Sequence, residues 1–510
     1  MFFTPFLRLL ALVATASAAA VGAADRVITL DRLPLLFADD SGIASRDGVV
    51  RTFHPGRTLA APVLVADQPW EGDRIYIFGS AARGPGPDFF RMWYSSHPGL
   101  ENAPPGSKAP AWHSETLYAT STDGVHWTKP PLGIIEVAGS SANNIVSDFD
   151  SPSVLLDATE PDASHRYKML GALHGNYAAA YSADGLHWNM YPHNPVLKYS
   201  DTITLAQDPV TRRYLAFHKR PAVVRGFPRR VVWLSTSADF QNWTEPELVF
   251  APDLEDDEWT SPNRPWERTE IYNMSVVPHA AGFIGFPAVL RVMKAIQRAD
   301  LTPGQSPVDG PLDIQIATSQ DGRQWKRSWP RIGMIPRGTP GTFDGGALLG
   351  VASQPVDTDE QTWIYYTAIN TGHGGTMPPK RTTIGRAEWR LHGFASLDAG
   401  PMGGWVETRP MRVAEGASLV VNADASKGEL RVALLEEDGR AIAGYAAQDC
   451  APLRADAVHS EIRWNGARGA PTDRPVRVRI EMKNTLLYSI LGGARPPGAL
   501  APTALRTSAL

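Results

Sequence analysis

Between residues 67 and 395 short apolar runs alternate with polar, turn-forming residues, and the runs fall into groups. One group reads "SPSVLLDATE", "HRYKMLGAL", "NYAAAYSADG" and "PVLKY"; the next reads "DTITLAQDP", "RRYLAFHKR", "RRVVWLSTSAD" and "ELVFAPD". A further group holds "EIYNMSVVP", "GFIGFPAVL", "LDIQIATSQDG" and "RIGMIP". An earlier one opens with "DRIYIFGS" and "FFRMWYSS", and the last contains "GGALLGVASQP", "QTWIYYTAIN" and "RTTIGRAEWRLHGF". Runs of this length, bounded by turn residues, predict β-strands in successive hairpins.

Four groups share one turn: "STDGVHW" at 121–127, "SADGLHW" at 182–188, "SADFQNW" at 237–243 and "SQDGRQW" at 319–325. Asp-Gly between two strands is a strong hairpin signal, because Gly accepts the positive φ of a tight turn. Recurrence of the turn every 55 to 80 residues or so predicts one four-stranded blade per repeat. The expected fold class is therefore all-β, a five-bladed β-propeller over 67–395. After it the pattern changes to "SLVVNA", "ELRVALLEEDGRAIAGY", "SEIRWNG" and "PVRVRIEM", which predicts a β-sandwich over 396–495. An N-terminal extension, 24–66, is left either closing the ring or packing outside it. The tail, 496–510, lacks periodicity and is expected to be disordered.

Propeller geometry puts the shared turns on one face, and the starts of the first strands and ends of the second strands on the other. The turn Asp is then expected to bond its own backbone and the Trp to pack between blades, as scaffold. The opposite face carries an acid at each entrance: Glu71 in "PWEGDRIY" (preferred over Asp73), Asp150 in "DFDSPSVLL", Asp201 in "YSDTITL", Glu270 in "RTEIYNM" and Asp344 in "TFDGGAL". Like charges drawn together raise some of each other's pKa values and divide carboxylates into acids and bases. The ends of the second strands add His97, His174, Lys219, Arg220, Arg291 and His373. The acidic run in "DLEDDEWTSPNRPWE", 253–267, reads as a solvated loop across this face.

Composition narrows the chemistry. A formal charge of −4 gives no reason to expect nucleic acid or anionic lipid. The 15 Trp suit sugar stacking, but packing between sheets is the favoured reading. "MFFTPFLRLLALVATASAAAVGAADRV" has one Arg, a short apolar run and small-residue cleavage patterns, which predicts a signal peptide over 1–23, export to periplasm or medium and no membrane anchor. The single cysteine, Cys450, precludes an internal disulfide. No zinc pattern, Walker loop, nucleophile elbow or dinucleotide fingerprint occurs, so no cofactor or metal is expected.

With these entrance acids the chain resembles the five-bladed propeller glycoside hydrolases of families 32, 43, 62 and 68, and family 32 also carries a sandwich after its propeller. The resemblance implies three essential acids at the first strands of blades one, three and four: a base or nucleophile, a transition-state stabiliser and a general acid. By position the last two are Asp201 and Glu270; Glu71 takes the first role, with Glu267 a rival to Glu270. The family 32 Asn-Asp-Pro-Asn element is absent, and "QDP" at 207–209 lies in a turn at the far end of its strand. The implied activity is hydrolysis of a furanoside in an oligo- or polysaccharide. Asp150, Asp344, His174, Lys219, Arg220, Arg291 and His373 would hold substrate. A non-catalytic glycan-binding propeller, a glycoside phosphorylase holding phosphate on Lys219, Arg220 or Arg291, and a sialidase-like propeller are the alternatives. The oligomeric state is not legible.

Overall fold

The computed structural model describes residues 27–493 except 32, 87, 98–113, 138, 303–304, 329, 415–416, 466–469 and 472. The expected signal peptide and tail lie outside the described residues. The described chain is all-β, with short 3-10 turns as its only helical elements. None of its helices is long and apolar enough to cross a membrane.

Five antiparallel sheets follow one another in sequence, the first and fifth joined edge to edge by a parallel pairing. The first is built on Arg74–Tyr76, Phe90–His97 and Thr116–Ser121. The second is built on Asp150–Leu156, Tyr167–Leu173 and Asn176–Ser182. Ile203–Gln207, Tyr214–Val224, Phe227–Ser237 and Glu247–Phe250 make the third. Arg268–His279 and Gly282–Val292, with shorter strands beyond them, make the fourth. The fifth contains Ala347–Val351, Gln361–Ile369 and Thr382–Arg390. Its outer strand is supplied from far upstream, where Arg57–Thr58 pairs with Ala387 and Glu388.

These sheets neighbour one another in a cycle. Ser and Thr hydroxyls stitch each first strand to the next sheet: Ser80 Oγ to Val154 O (2.6 Å), Leu205 N to Ser153 Oγ (2.9 Å), Thr204 Oγ1 to Met274 O (2.7 Å), and Ser275 Oγ to Val351 O (2.8 Å). The cycle returns to its start through Ile77 N to Thr367 Oγ1 (2.8 Å) and a parallel pairing of Thr382 with Arg74. A buried hydroxyl here is satisfied by a neighbouring backbone, which fixes the spacing of adjacent sheets. Apolar side chains fill the gaps. Adjacent sheets share these cores: Trp93 and Met169 belong to one, Leu170 and Leu205 to another, and Phe217 with Phe283, Phe286 with Leu348 and Tyr94 with Tyr365 to three more.

The shared turns behave as scaffold. In each, Asp123, Asp184, Asp239 or Asp321 accepts through Oδ1 from the backbone N–H groups two and three residues on. Ser121, Ser182 and Ser319 Oγ accept from the N–H of the turn Gly. In the third copy Phe240 replaces Gly and holds φ at 65° with its ring fully buried. That packing offsets the cost of a left-handed non-Gly residue. The turns also reach their neighbours, since Trp93 Nε1 donates to Gly185 O and Tyr365 Oη to Gly124 O.

Two more sheets enclose one core. Asp456–Glu461, Leu419–Asp424, Thr485–Gly492 and Ala395–Ala399 form one, and Gly404–Thr408, Arg477–Lys483 and Glu429–Leu435 form the other. Val421, Leu487 and Ile490 face Val406, Val432 and Ile480 across it. The N-terminal extension is woven into both: Leu35–Leu36 pairs with Ile490 and Ser489, Ile43–Asp47 with Gly404–Thr408, and Val49–Phe53 with Ala395–Ala399. The extension thus pairs with both C-terminal sheets and, at Arg57–Thr58, with the fifth sheet.

The acidic run at 253–258 is not a solvated loop. Asp257 pairs with Arg225 (2.6 Å) and Arg229 (2.7 Å), Asp256 is buried against Arg327, and Asp253 pairs with Arg331.

Candidate functional site

A cavity of about 420 Å³ opens among the starts of the first strands. Its charged lining is Arg74, Asp150, Asp201, Lys219, Arg230 and Lys380, joined by His97 and His373 and by the aromatic rings of Tyr76, Phe78 and Tyr272.

Three of its residues sit where a strand breaks register. The pairing slips between Asp150 and Ser153, between Ile271 and Asn273, and between Leu348 and Gly350, and Ser151, Tyr272 and Leu349 all line the cavity. A bulge re-aims side chains that would otherwise alternate between the faces of a flat strand. Ser151 adopts φ of 49°, an uncommon value for a residue with a Cβ, and its N–H is held by Ser95 Oγ at 2.9 Å.

The two carboxylates differ in surroundings. Burial raises the Asp150 carboxyl to about 6; the Ser151 hydroxyl, 3.2 Å away, acts against the rise and Asp201 adds to it. Asp201 Oδ1 lies 2.8 Å from Lys219 Nζ. Burial pulls the Lys219 ammonium down, but Asp201 and Tyr272 together outweigh it and the net shift is upward. Lys219 Nζ also stands 3.6 Å from the centre of the Tyr272 ring, with Arg230 at 5.6 Å and the His373 ring at 5.2 Å from the same ring. Burial, helped by nearby cations, pushes His97 down to about 3 and His373 well below its ordinary value, so both rings are neutral.

Of the residues singled out from sequence, Asp150, Asp201, Lys219, His373 and His97 line the cavity. The expected convergence of five acids does not occur. Glu71 is fully buried and is not among the lining residues; it accepts from Tyr94 Oη (2.7 Å), Lys129 Nζ (2.7 Å) and the backbone N–H groups of Asp67 and Gln68. Those bonds consume its oxygens as a structural anchor. Asp73 pairs with Arg74. Glu270 stands one layer behind the lining, bonded to Arg230 and to Arg268 (2.6 Å). Its rival Glu267 is held by Arg264 and Ser261 N. Asp344 is buried under the Tyr366 hydroxyl, 2.9 Å away. His174 is exposed on a hairpin, Arg220 packs on Tyr199 and Trp233, and Arg291 pairs with Asp313. Asp208 caps its own turn through Val210 N.

Arg74, Arg230, Tyr272 and Lys380 were not singled out. Arg74 directly follows an entrance acid, and Lys380 follows "TMPP" in the loop that also holds His373, so an inspection of cations beside the entrances finds these two. Among the described residues no cluster of three His, Cys, Asp or Glu has the arrangement of a metal-ion ligand set.

No protein-family model and no curated protein matches this sequence. Solved structures do match. One, described as a glycoside hydrolase, is 12% identical over 66% of this chain and 92% of its own, with a TM-score of 0.43. An N-acetylgalactosamine deacetylase from F. plautii in complex with blood group B trisaccharide is 14% identical over 68% of this chain and 97% of its own, at 0.41. A β-1,2-mannobiose phosphorylase from Listeria innocua in complex with β-1,2-mannobiose is 10% identical over 68% and 97%, at 0.39. The structures it is similar to thus include glycoside hydrolases and phosphorylases. At such scores the chemistry rests on the site's own geometry.

Proposed function

We propose that the five cyclic sheets are the blades of a closed five-bladed β-propeller backed by a β-sandwich. In this reading the cavity is the active site of an exported carbohydrate-active enzyme that cleaves a glycosidic bond. One observation carries the reading: two carboxyl groups from adjacent sheets line one cavity, one buried without a cation partner and the other in contact with Lys219. Burial raises Asp150 to about 6, toward the protonated form that a donor needs, while Asp201 stands 2.8 Å from the Lys219 ammonium. Glycosidic cleavage needs that division between proton donor and base or nucleophile.

Asp150 gives its proton to the leaving oxygen as the C–O bond breaks. Asp201 either attacks the anomeric carbon or takes the proton of the attacking water, and the departing alcohol and the new hemiacetal balance the water consumed. Tyr76, Phe78 and Tyr272 supply apolar faces for a sugar ring. The acid role assigned from sequence to Glu270 passes to Asp150, and Glu270 instead holds Arg230 in position. A furanoside as the cleaved unit is what the resemblance to families 32, 43, 62 and 68 contributes, and the segment at 1–23 supports export.

Sugar release from furanose- and pyranose-containing glycans, compared between wild type and Asp150→Asn, tests the reading. Release by wild type alone supports it. A glycan bound equally by both proteins and cleaved by neither would make the cavity a recognition site.

A further inference from the structure

The reading of the cavity as a glycan site leaves its positive charge unexplained. Four cations line it, Arg74, Lys219, Arg230 and Lys380, against two carboxyl groups, Asp150 and Asp201. Further charges stand behind the lining: Asp73 beside Arg74, and Glu270 shared between Arg230 and Arg268. A neutral sugar needs no such wall.

Lys380 is the informative residue. Its side chain is only 8% exposed and faces the cavity. The ammonium donates to His373 O at 2.7 Å, and among the described residues no carboxylate comes within ion-pairing distance of it. An ammonium has three donors, and a buried one without a counter-ion is costly to maintain. Of the two acids that act on it, Asp309 and then Asp73, the stronger has one oxygen occupied by the N–H groups of Gly310 and Gly374 and the other pairs with Arg74. Burial, then Arg74, lowers the Lys380 ammonium to about 8, as expected for a cation facing cations. His373 ties this corner to the rest: its carbonyl holds Lys380, and its ring packs on Tyr272 beside Lys219 and Arg230.

We infer that Lys380, with Lys219 and Arg230 around Tyr272 and His373, forms an oxyanion subsite that takes a carboxylate, sulfate or phosphate group. The group arrives in one of two ways. It is a substituent of the glycan, as in a uronic acid or a sulfated sugar, or it is free phosphate that replaces water as the attacking oxygen. In the second case phosphate forms the new bond to the anomeric carbon, the leaving oxygen takes the Asp150 proton, and glycosyl phosphate and alcohol are the products.

The test is calorimetric titration of the full chain with inorganic phosphate, sulfate, galacturonate and, for comparison, galactose. At least one oxyanion should bind and galactose should bind more weakly. Lys380→Met, checked for native near-ultraviolet circular dichroism, should weaken the oxyanion by about tenfold or more. In the wild type, affinity should fall as pH rises through about 8. Binding of no oxyanion at millimolar concentration, or affinity unchanged in Lys380→Met, overturns the inference. If Lys380→Met does not fold, the wild-type titrations and their pH dependence decide alone. Turnover that requires phosphate and yields a glycosyl phosphate assigns the site to phosphate; turnover of a uronate or sulfated glycan without phosphate assigns it to the substrate. Cleavage of neutral glycans without oxyanion binding would leave the proposed function standing and remove the subsite. Oxyanion binding without any cleavage would do the reverse.

Discussion

Lys219 Nζ lies 2.8 Å from Asp201 Oδ1, across the first two strands of the third sheet. One of the two cavity carboxyl groups therefore has a cation in contact. The other, Asp150, has among the described residues no ion-pair partner. That asymmetry distinguishes the two groups without a third acid.

It sets a pH dependence. The donor form of Asp150 is the protonated one, so kcat/KM should be high below about 6 and fall as pH rises through that value. Asp150→Asn should lower kcat by about 10²- to 10⁴-fold and remove the alkaline limb. A descending limb unchanged in the variant would assign the titration to another group.

Tyr272 is expected to act through its ring. Tyr272→Phe keeps the face on which Lys219 and Arg230 stand and should hold kcat/KM within about threefold of wild type, whereas Tyr272→Leu should lose about tenfold, as expected for about 1–2 kcal/mol of cation–π contact. Equal kinetics in the two variants would show that the ring positions nothing.

Glu71 should prove structural. Glu71→Gln removes one of the two carboxylates on Lys129, which keeps Asp67 at 2.6 Å, and should cost about 1–3 kcal/mol in urea denaturation through the buried hydrogen bonds it weakens. The folded variant should keep wild-type kcat. A loss of kcat with unchanged stability would return Glu71 to the chemistry.

Acid should loosen the shared turns. Asp239 is held down at about 2, and Asp123 and Asp184 are also well below the ordinary carboxylate range; burial opposes the shift and the turn's hydrogen bonds outweigh it. A depressed folded pKa contributes stability that is present above the unfolded value of about 4 and lost as pH falls toward the folded one. Thermal midpoints should therefore drop between about pH 4 and 2, and Asp184→Ala should show a smaller drop than wild type. Parallel curves for the two proteins would count against these turns as the acid-sensitive element.

The strand groups, the shared turns and the placement of Asp150, Asp201, Lys219 and His373 were legible in the sequence, because each follows from local pattern plus the path of a hairpin. The fate of the other acids was not. Glu71 finds Lys129 and Glu270 finds Arg230, 58 and 40 residues away. Nothing local distinguishes an acid so anchored from one that faces a cavity. The slips at Ser151, Tyr272 and Leu349 are equally silent, since a bulge depends on the register of the partner strand. Lys380 lies in the loop between Gln361–Ile369 and Thr382–Arg390, and its cationic neighbour Arg74 comes from the first sheet, far upstream, so local pattern does not reveal the pair.

The pairing of Leu35–Leu36, Ile43–Asp47 and Val49–Phe53 with strands between Ala395 and Gly492 has a consequence for synthesis. The strands made first by the ribosome acquire their partners last. Until the chain from Ala395 onward emerges, three early segments carry unpaired edges, and Arg57–Thr58 waits for the fifth sheet, the last of the five to be made. These early segments therefore stay open to pairing with neighbouring chains until Ala395 and the strands after it are made, and the C-terminal sheets are completed late.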